Sequence, residues 1–245
     1  GVPVPVAREV YLEAAELTNV KPVGIACHIG SQLTETEPYV AALDRLLTLM
    51  EELSGHGLVF KHIDVGGGFG IRYQDEQPPG FDEFARVIGD SLGGLDYELI
   101  IAPGRAIVGP AGVLLTRVGS CKEMEGKNFA IVDAAMNDLL RPALYAAWHE
   151  VKPVVRRRGG ELRCYDVVGP VCESGDFLAK DRDLDIQPGD LLVVCTTGAY
   201  GFALSSNYNS RPRAAEVMVS GTDAHEVRRR ERLEDLMVGE ALLPS

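Results

Sequence analysis

Five short stretches of this chain set reactive or glycine-rich groups where an apolar segment ends. His28-Ile29-Gly30-Ser31-Gln32 follows one such segment. A histidine there could serve a ligand, or it could be a hydrogen-bonded strand end. Asp64-Val65-Gly66-Gly67-Gly68-Phe69-Gly70 follows another. Consecutive glycines leave backbone N–H groups uncovered, and such groups can nest an anion such as phosphate. The spacing is neither the G-x-x-x-x-G-K-[ST] of a nucleotide P-loop nor a clean G-x-G-x-x-G opening a helix. Pro103-Gly104-Arg105 presents a guanidinium that could grip a carboxylate or phosphate with two parallel hydrogen bonds, a plain surface arginine being the alternative. Gly169-Pro170-Val171-Cys172-Glu173-Ser174-Gly175-Asp176 sets a thiol beside a carboxylate in a loop, and Thr197-Gly198-Ala199-Tyr200-Gly201 puts a phenol on a tight turn.

The elements that must carry these groups follow two rhythms. Up to about residue 105, strand and helix alternate. Helical spacing covers Val6 to Leu17, Glu35 to His56 (with Val40, Leu43, Leu47, Met50 and Leu53 on one stripe) and Phe81 to Leu92. Apolar strands read from Lys21 to His28, Leu58 to Val65 and Tyr97 to Ala102. Such alternation predicts a parallel sheet with its site beyond the carboxyl ends of the strands. Three such units cannot close a (β/α)₈ barrel, so either more chain lies upstream or the fold is a small open sheet; residues 1–105 are expected to be the C-terminal half of a barrel, with more chain upstream. From 106 to 245 the pattern turns mostly β and predicts a β-barrel or sandwich-like domain. Strands are read at Val113 to Val118, Phe129 to Asp133, Cys164 to Val168, Leu191 to Cys195 and Ala214 to Val219, with another apparent strand closing at Arg228 and a helix over Arg232 to Leu242.

A formal net charge of −12 makes nucleic acid an improbable partner, because an acidic surface repels a phosphate backbone. The basic runs Arg156-Arg157-Arg158 and Arg228-Arg229-Arg230 read as solvated turns. Apolar runs are too short to span a bilayer, and the Gly1-Val2-Pro3 start has no signal-peptide pattern; it reads as a cut into a longer chain. Five cysteines without C-x-x-C spacing speak against a disulfide framework or zinc and suit a reducing cytoplasm. Cys27, Cys121, Cys164 and Cys195 are expected in the core.

Taken in order, the motifs C-H-I-G-S-Q from Cys27, G-G-G-F-G from Gly66, P-G-R from Pro103, N-D-L-L-R-P-A-L-Y from Asn137, C-E-S-G-D from Cys172, T-G-A-Y-G from Thr197 and S-S-N-Y-N-S-R-P from Ser205 resemble the diaminopimelate decarboxylase family, among the alanine-racemase-like pyridoxal-phosphate enzymes. The Cys-Glu-Ser loop leans away from ornithine decarboxylases. The resemblance implies pyridoxal 5'-phosphate as cofactor and decarboxylation of meso-2,6-diaminopimelate to L-lysine. It implies that His28 stacks on the pyridine ring. Ser31, Gly66, Gly67, Gly68, Gly104 and Tyr200 would hold the phosphate. Arg105, Arg141 and Tyr145 would bind the distal carboxylate of the substrate, with Tyr200 also beside it. In a homodimer, Cys172 and Glu173 would reach the neighbouring subunit's site, Glu173 reading the distal amine and Cys172 donating a proton.

Two departures stand against that pattern. The family's Schiff-base lysine lies in a Y-A-x-K-A-N-like motif, and none of Lys21, Lys61, Lys122, Lys127, Lys152 and Lys180 has that context. The family also has Glu before Pro-Gly-Arg, pairing with the pyridine nitrogen, where this chain has Ala102. These residues alone are therefore expected to form an incomplete, inactive portion of an enzyme. A decarboxylase or racemase of another basic amino acid, and a non-catalytic regulatory or assembly homologue, are the competing expectations.

Overall fold

The computed structural model describes residues 1–157 and 160–243, so Arg158 of the first basic run lies outside the described residues. The chain divides into two compact units, Gly1–Ile107 and Val108–Ser245.

In unit one, α1 (Val4–Glu16), α2 (Glu37–Ser54) and α3 (Phe81–Leu92) alternate with three short parallel strands, β1 (Gly24–Ala26), β2 (His62–Asp64) and β3 (Glu98–Ile100), in the order β1-β2-β3. Gly24 sits opposite His62, and His62 opposite Glu98. The strands are shorter than their apolar runs suggest, but the pairing continues past them. Cys27 N–H donates to Asp64 (2.9 Å), Val65 N–H to Ile100 (3.2 Å) and Ala102 N–H to Gly66 (2.8 Å). The carboxyl ends are thus tied together where the motif residues begin. Leu43, Met50 and Leu53 of α2 are buried with Ile63, Val65 and Ile88. The stripe is part of a wider buried face that also takes Tyr39, Leu46 and Leu49, while Val40 and Leu47 are half-buried; burial of that face drives α2 to form. The short helix α4 (Gly104–Val108) follows β3.

Unit two is built on a six-stranded mixed sheet: β4 (Leu114–Met124), β5 (Lys127–Val132), β6 (Val151–Pro153), β7 (Arg163–Val168), β8 (Phe177–Leu184) and β9 (Leu191–Val194), in the order β6-β9-β4-β5-β7-β8. The outer strands β6 and β8 approach one another, so the sheet nearly closes into a barrel around Val118, Ala130, Val167, Leu178, Leu192 and Val194. Long β4 turns the corner. Its first half pairs with β9 and its second with β5, across a register shift between Val118 and Ser120. Only β5 and β7 run parallel. A parallel pair needs a long crossover, and this one carries helix α5 (Arg141–Tyr145) and strand β6. A separate hairpin, β10 (Glu216–Ser220) with β11 (Asp223–Arg228), follows.

Two expectations are corrected, and two strands went unread. The helix over Arg232 to Leu242 reduces to a 3₁₀ turn at Leu233–Met237. Its apolar residues Leu233, Met237 and Leu242 are exposed, so no packing surface stabilises a longer helix, and Gly239 turns the chain at φ 92°. Strands β6 and β8 were not legible, since β8 mixes apolar with charged residues and takes a left-handed residue at Asp181. None of the cysteines is fully buried, though Cys27 and Cys121 pack against the two cores. Cys164 and Cys172 are exposed, Cys27, Cys121 and Cys195 are half-buried, and all five are free thiols.

Candidate functional site

In unit one, seven of the motif residues follow the carboxyl ends of β1, β2 and β3. The glycine turn after β2 is wedged between its neighbours. A side chain on Gly66 would meet the Cys27 carbonyl oxygen at 2.6 Å and His28 Nδ1 at 3.0 Å; one on Gly67 would meet the Ala102 oxygen at 2.2 Å; one on Gly68 the Gly30 oxygen at 2.3 Å. Gly66 and Gly68 also take positive φ, 72° and 93°. The turn's three carbonyls are all engaged: that of Gly66 by Ala102 N–H, that of Gly67 by the Tyr39 hydroxyl (2.9 Å), that of Gly68 by Leu33 N–H (2.9 Å). Tyr39 is buried, packed edge-on to Phe84 and stacked with Phe69. Burial, with Cys27 nearby, pushes its phenol up to about 12, so it remains a donor. The Gly66 N–H donates to Asp64 Oδ1 at 2.7 Å. Among the described residues the N–H groups of Gly67 and Gly68 have no protein acceptor. What this turn offers a ligand is two main-chain donors, which suits an anion.

Arg105, on the first turn of α4, reaches back over the same edge. Its Nη1 donates to the Tyr73 hydroxyl (2.7 Å), its Nη2 to Ser31 Oγ (3.0 Å), and its guanidinium lies 5.7 Å from the Tyr73 ring centroid. Gln32 pins the Ser31 loop by a two-way bond with Ile71: its Nε2 donates to the Ile71 carbonyl (2.5 Å) and its Oε1 accepts from Ile71 N–H (3.2 Å). His28, Ser31, the glycine turn, Gly104 and Arg105 therefore share one edge of the sheet. Ala102 lies against Gly67 and brings a methyl group there, not an acid.

In unit two, Arg141 opens α5 and is buried, while Tyr145 at its far end is exposed. Cys172 and Glu173 are exposed on the loop between β7 and β8. That loop hangs on buried Asp176, whose carboxylate accepts Val171 N–H (2.7 Å) and Met136 N–H (2.7 Å). One carboxylate thus joins the Cys172 loop to the segment that leads into α5. A side chain at position 175 would meet Ala143 of α5 at 3.8 Å, an ordinary contact. Tyr200 takes φ 57° in a turn where Gly198 and Gly201 leave no space for side chains. A non-glycine residue held left-handed is strained and marks a built feature.

Tyr208 was not singled out from sequence, yet its hydroxyl donates to Glu173 Oε2 at 3.2 Å. This contact raises the Tyr208 phenol's pKa. Its loop is clamped. Arg211 donates to Asn137 Oδ1 (2.8 Å) and the Asp133 carbonyl (2.6 Å), Asn207 Nδ2 donates to Glu231 (2.6 Å), and Asn209 and Ser210 sit at φ 54° and 55°. The available signal was S-S-N-Y-N-S-R-P itself, with Tyr208 at its centre.

Residues 10–198 match the family model described as pyridoxal-dependent decarboxylase, C-terminal sheet domain. The chain belongs to the pyridoxal-dependent decarboxylase family. It is 57% identical over 244 residues to a diaminopimelate decarboxylase of Pseudomonas aeruginosa, covering all of this chain and 59% of that relative. It is 55% identical to one of Vibrio cholerae, covering 97% of this chain and 57% of that one. Among solved structures, a diaminopimelate decarboxylase from Helicobacter pylori complexed with L-lysine superposes with a TM-score of 0.91 at 40% identity, covering 97% of this chain and 59% of that chain. The chain thus spans under two thirds of the length of these relatives. Within the family, the turn's two donors fit a cofactor phosphate, and the Ala102 methyl leaves its position without a partner for a ring nitrogen. Among the described residues no helix is long and apolar enough to cross a membrane.

Proposed function

We propose that this chain is the larger part of a pyridoxal-phosphate-dependent enzyme that decarboxylates meso-2,6-diaminopimelate to L-lysine and carbon dioxide, the last step of lysine synthesis. The observation that carries the reading is the glycine turn with its carbonyls tied down and Arg105 on the same edge, in a chain 57% identical to a diaminopimelate decarboxylase. In this reading unit one is the C-terminal part of a (β/α)₈ barrel, and β1 and β3 are its open edges toward chain not present here.

The cofactor, when bound, supplies the electron sink for the pair of electrons left behind as carbon dioxide departs. The protein's share is placement. The Gly66–Gly68 turn, through the Gly67 and Gly68 N–H, with Ser31, Gly104 and Tyr200, would hold the phosphate, and His28 would stack on the ring. Arg105, Arg141 and Tyr145 take the distal carboxylate of the substrate, with Tyr200 beside it. Glu173, steadied by Tyr208, reads the distal ammonium, and Cys172 returns a proton to the product carbon. Cys172 and Glu173 are exposed, as groups that serve a neighbouring subunit must be, and the enzyme is read as a cytoplasmic homodimer. A diamino diacid has both charges at its far end, and two arginines with a glutamate discriminate against substrates that lack either one.

Carbon dioxide release from meso-diaminopimelate tests this. The full-length enzyme should release it, and the 245-residue polypeptide given pyridoxal phosphate should not. Release from lysine or ornithine in preference would favour the alternative basic-amino-acid decarboxylase. Ala102 is the one observation that favours a non-catalytic homologue. An enzyme that binds cofactor but turns over no diamino acid, and gains activity on Ala102→Glu, would support that second reading.

A further inference from the structure

Arg141 is 7% exposed, and His149, eight residues on, is 0% exposed. Arg141 Nη1 lies 2.8 Å from His149 Nε2, and His149 Nδ1 lies 2.9 Å from the Cys195 carbonyl oxygen. A guanidinium has only donors and a carbonyl only accepts. Two partners of fixed character leave one assignment for the ring. Nδ1 carries the proton and donates to Cys195, while Nε2 keeps its lone pair and accepts from Arg141. A second proton on the ring would set donor against donor and cation against cation. The ring is also held by rigid chain on both sides. Cys195 N–H donates to the Glu150 carbonyl at 2.8 Å, continuing the β6–β9 pairing, and Arg182 donates to the His149 carbonyl at 3.1 Å while its guanidinium lies 4.5 Å from the Trp148 ring centroid.

We infer that His149 is a positioning residue for substrate recognition: a neutral imidazole, locked as the Nδ1–H tautomer, that fixes the plane of the Arg141 guanidinium. A flexible arginine fork meets a carboxylate in many ways, and a fork pinned at one nitrogen meets it in few. The pinned fork loses less conformational entropy when substrate arrives. The inference rests on the reading that Arg141 binds the distal carboxylate.

Two measurements on the full-length enzyme test it separately from that reading. The first is a long-range ¹H–¹⁵N correlation on histidine-labelled enzyme, with His149 assigned by its loss in His149→Gln. A protonated Nδ1 and a bare Nε2, with and without substrate, is the expected result. An imidazolium or an Nε2–H ring overturns the inference whatever Arg141 does. The second is kinetic. His149→Phe keeps ring volume but offers no acceptor, and should raise KM for meso-diaminopimelate about tenfold with kcat little changed. His149→Gln, whose amide oxygen can take the Nε2 place, should recover most of that loss. If Arg141→Ala leaves KM unchanged, the reading of Arg141 falls. If Arg141→Ala raises KM and His149→Phe does not, the positioning role falls. If the Phe variant does not fold, the tautomer measurement decides.

Discussion

The turn at Gly66–Gly68 and the loops around Arg141 and Cys172 are immobilised by opposite means. At the glycine turn of unit one the groups offered to a ligand are main-chain N–H, and the fixing contacts fall on the turn's carbonyls, from Ala102, Tyr39 and Leu33. In unit two the binding elements are side chains, and the fixing contacts come from buried polar side chains, Asp176 under the Cys172 loop and His149 against Arg141. The difference fits the two targets proposed for them. A phosphate is the same in every turnover and can be met by backbone that cannot be altered without moving the fold. A substrate's far end must be told from that of its competitors, and side chains of chosen charge do that.

The comparison breaks most sharply at Gly67. Gly67→Ala drives a methyl into the Ala102 carbonyl, and should cost about 3 kcal/mol of stability and abolish tight cofactor binding, read by denaturant melts and pyridoxal phosphate titration. Gly80→Ala, at the start of α3, is its control, because a side chain there meets nothing within 4 Å and the backbone stands at φ −68°. That variant should stay within about 0.5 kcal/mol of the parent and bind cofactor as before. A Gly67→Ala enzyme indistinguishable from Gly80→Ala would remove the claim that main-chain packing builds the turn.

Asp176 is the matching point in unit two. Asp176→Ala leaves the Val171 and Met136 N–H groups without their acceptor and should cost about 2 kcal/mol, with faster hydrogen exchange at both amides and cofactor affinity unchanged. Parallel loss of cofactor affinity would blur the division between the two regions. Smaller still is Tyr208→Phe. With Glu173 unsteadied but present, KM for meso-diaminopimelate should rise about threefold and stability should hold within about 0.5 kcal/mol. An unchanged KM would reduce the Tyr208–Glu173 contact to a surface pair.

The smallest expected effect is on pH dependence. The Arg213 backbone N–H first, then the Asn207 amide and the Arg213 guanidinium, hold the Glu231 carboxyl below its ordinary range against some burial. A carboxylate depressed in the folded chain adds stability above its unfolded value and loses it as pH falls through the folded one. The loop bearing Tyr208 should therefore lose amide protection, measured against the intrinsic exchange rate at each pH, as pH falls below the ordinary carboxylate range, and Glu231→Gln should flatten that response. Loosening on raising the pH instead would contradict the assignment.

Sequence made unit one legible because its information is local. The stripe Leu43, Leu47, Met50 and Leu53 gives α2, and an apolar run ending in glycines gives β2 and its turn. Tyr39 was invisible as a site element, since its hydroxyl reaches Gly67 only through the packing of α2 on the sheet. In unit two the motifs marked Arg141, Cys172 and Glu173, but not what holds them. His149, Asp176 and Tyr208 act across eight, five and thirty-five residues of chain, and only the fold reveals their partners. Strand β8 escaped because its buried residues do not alternate, and the C-terminal helix was overread because apolar spacing without a surface to cover does not hold a helix.

The most direct measurement is a titration of glycine-¹⁵N-labelled full-length enzyme with pyridoxal phosphate and, separately, with pyridoxal. The Gly67 and Gly68 amide signals should move with pyridoxal phosphate and not with pyridoxal, while Gly66, already bonded to Asp64, stays put. Motion of Gly66 alone, or equal shifts with both compounds, would contradict a phosphate held by the Gly67 and Gly68 amides.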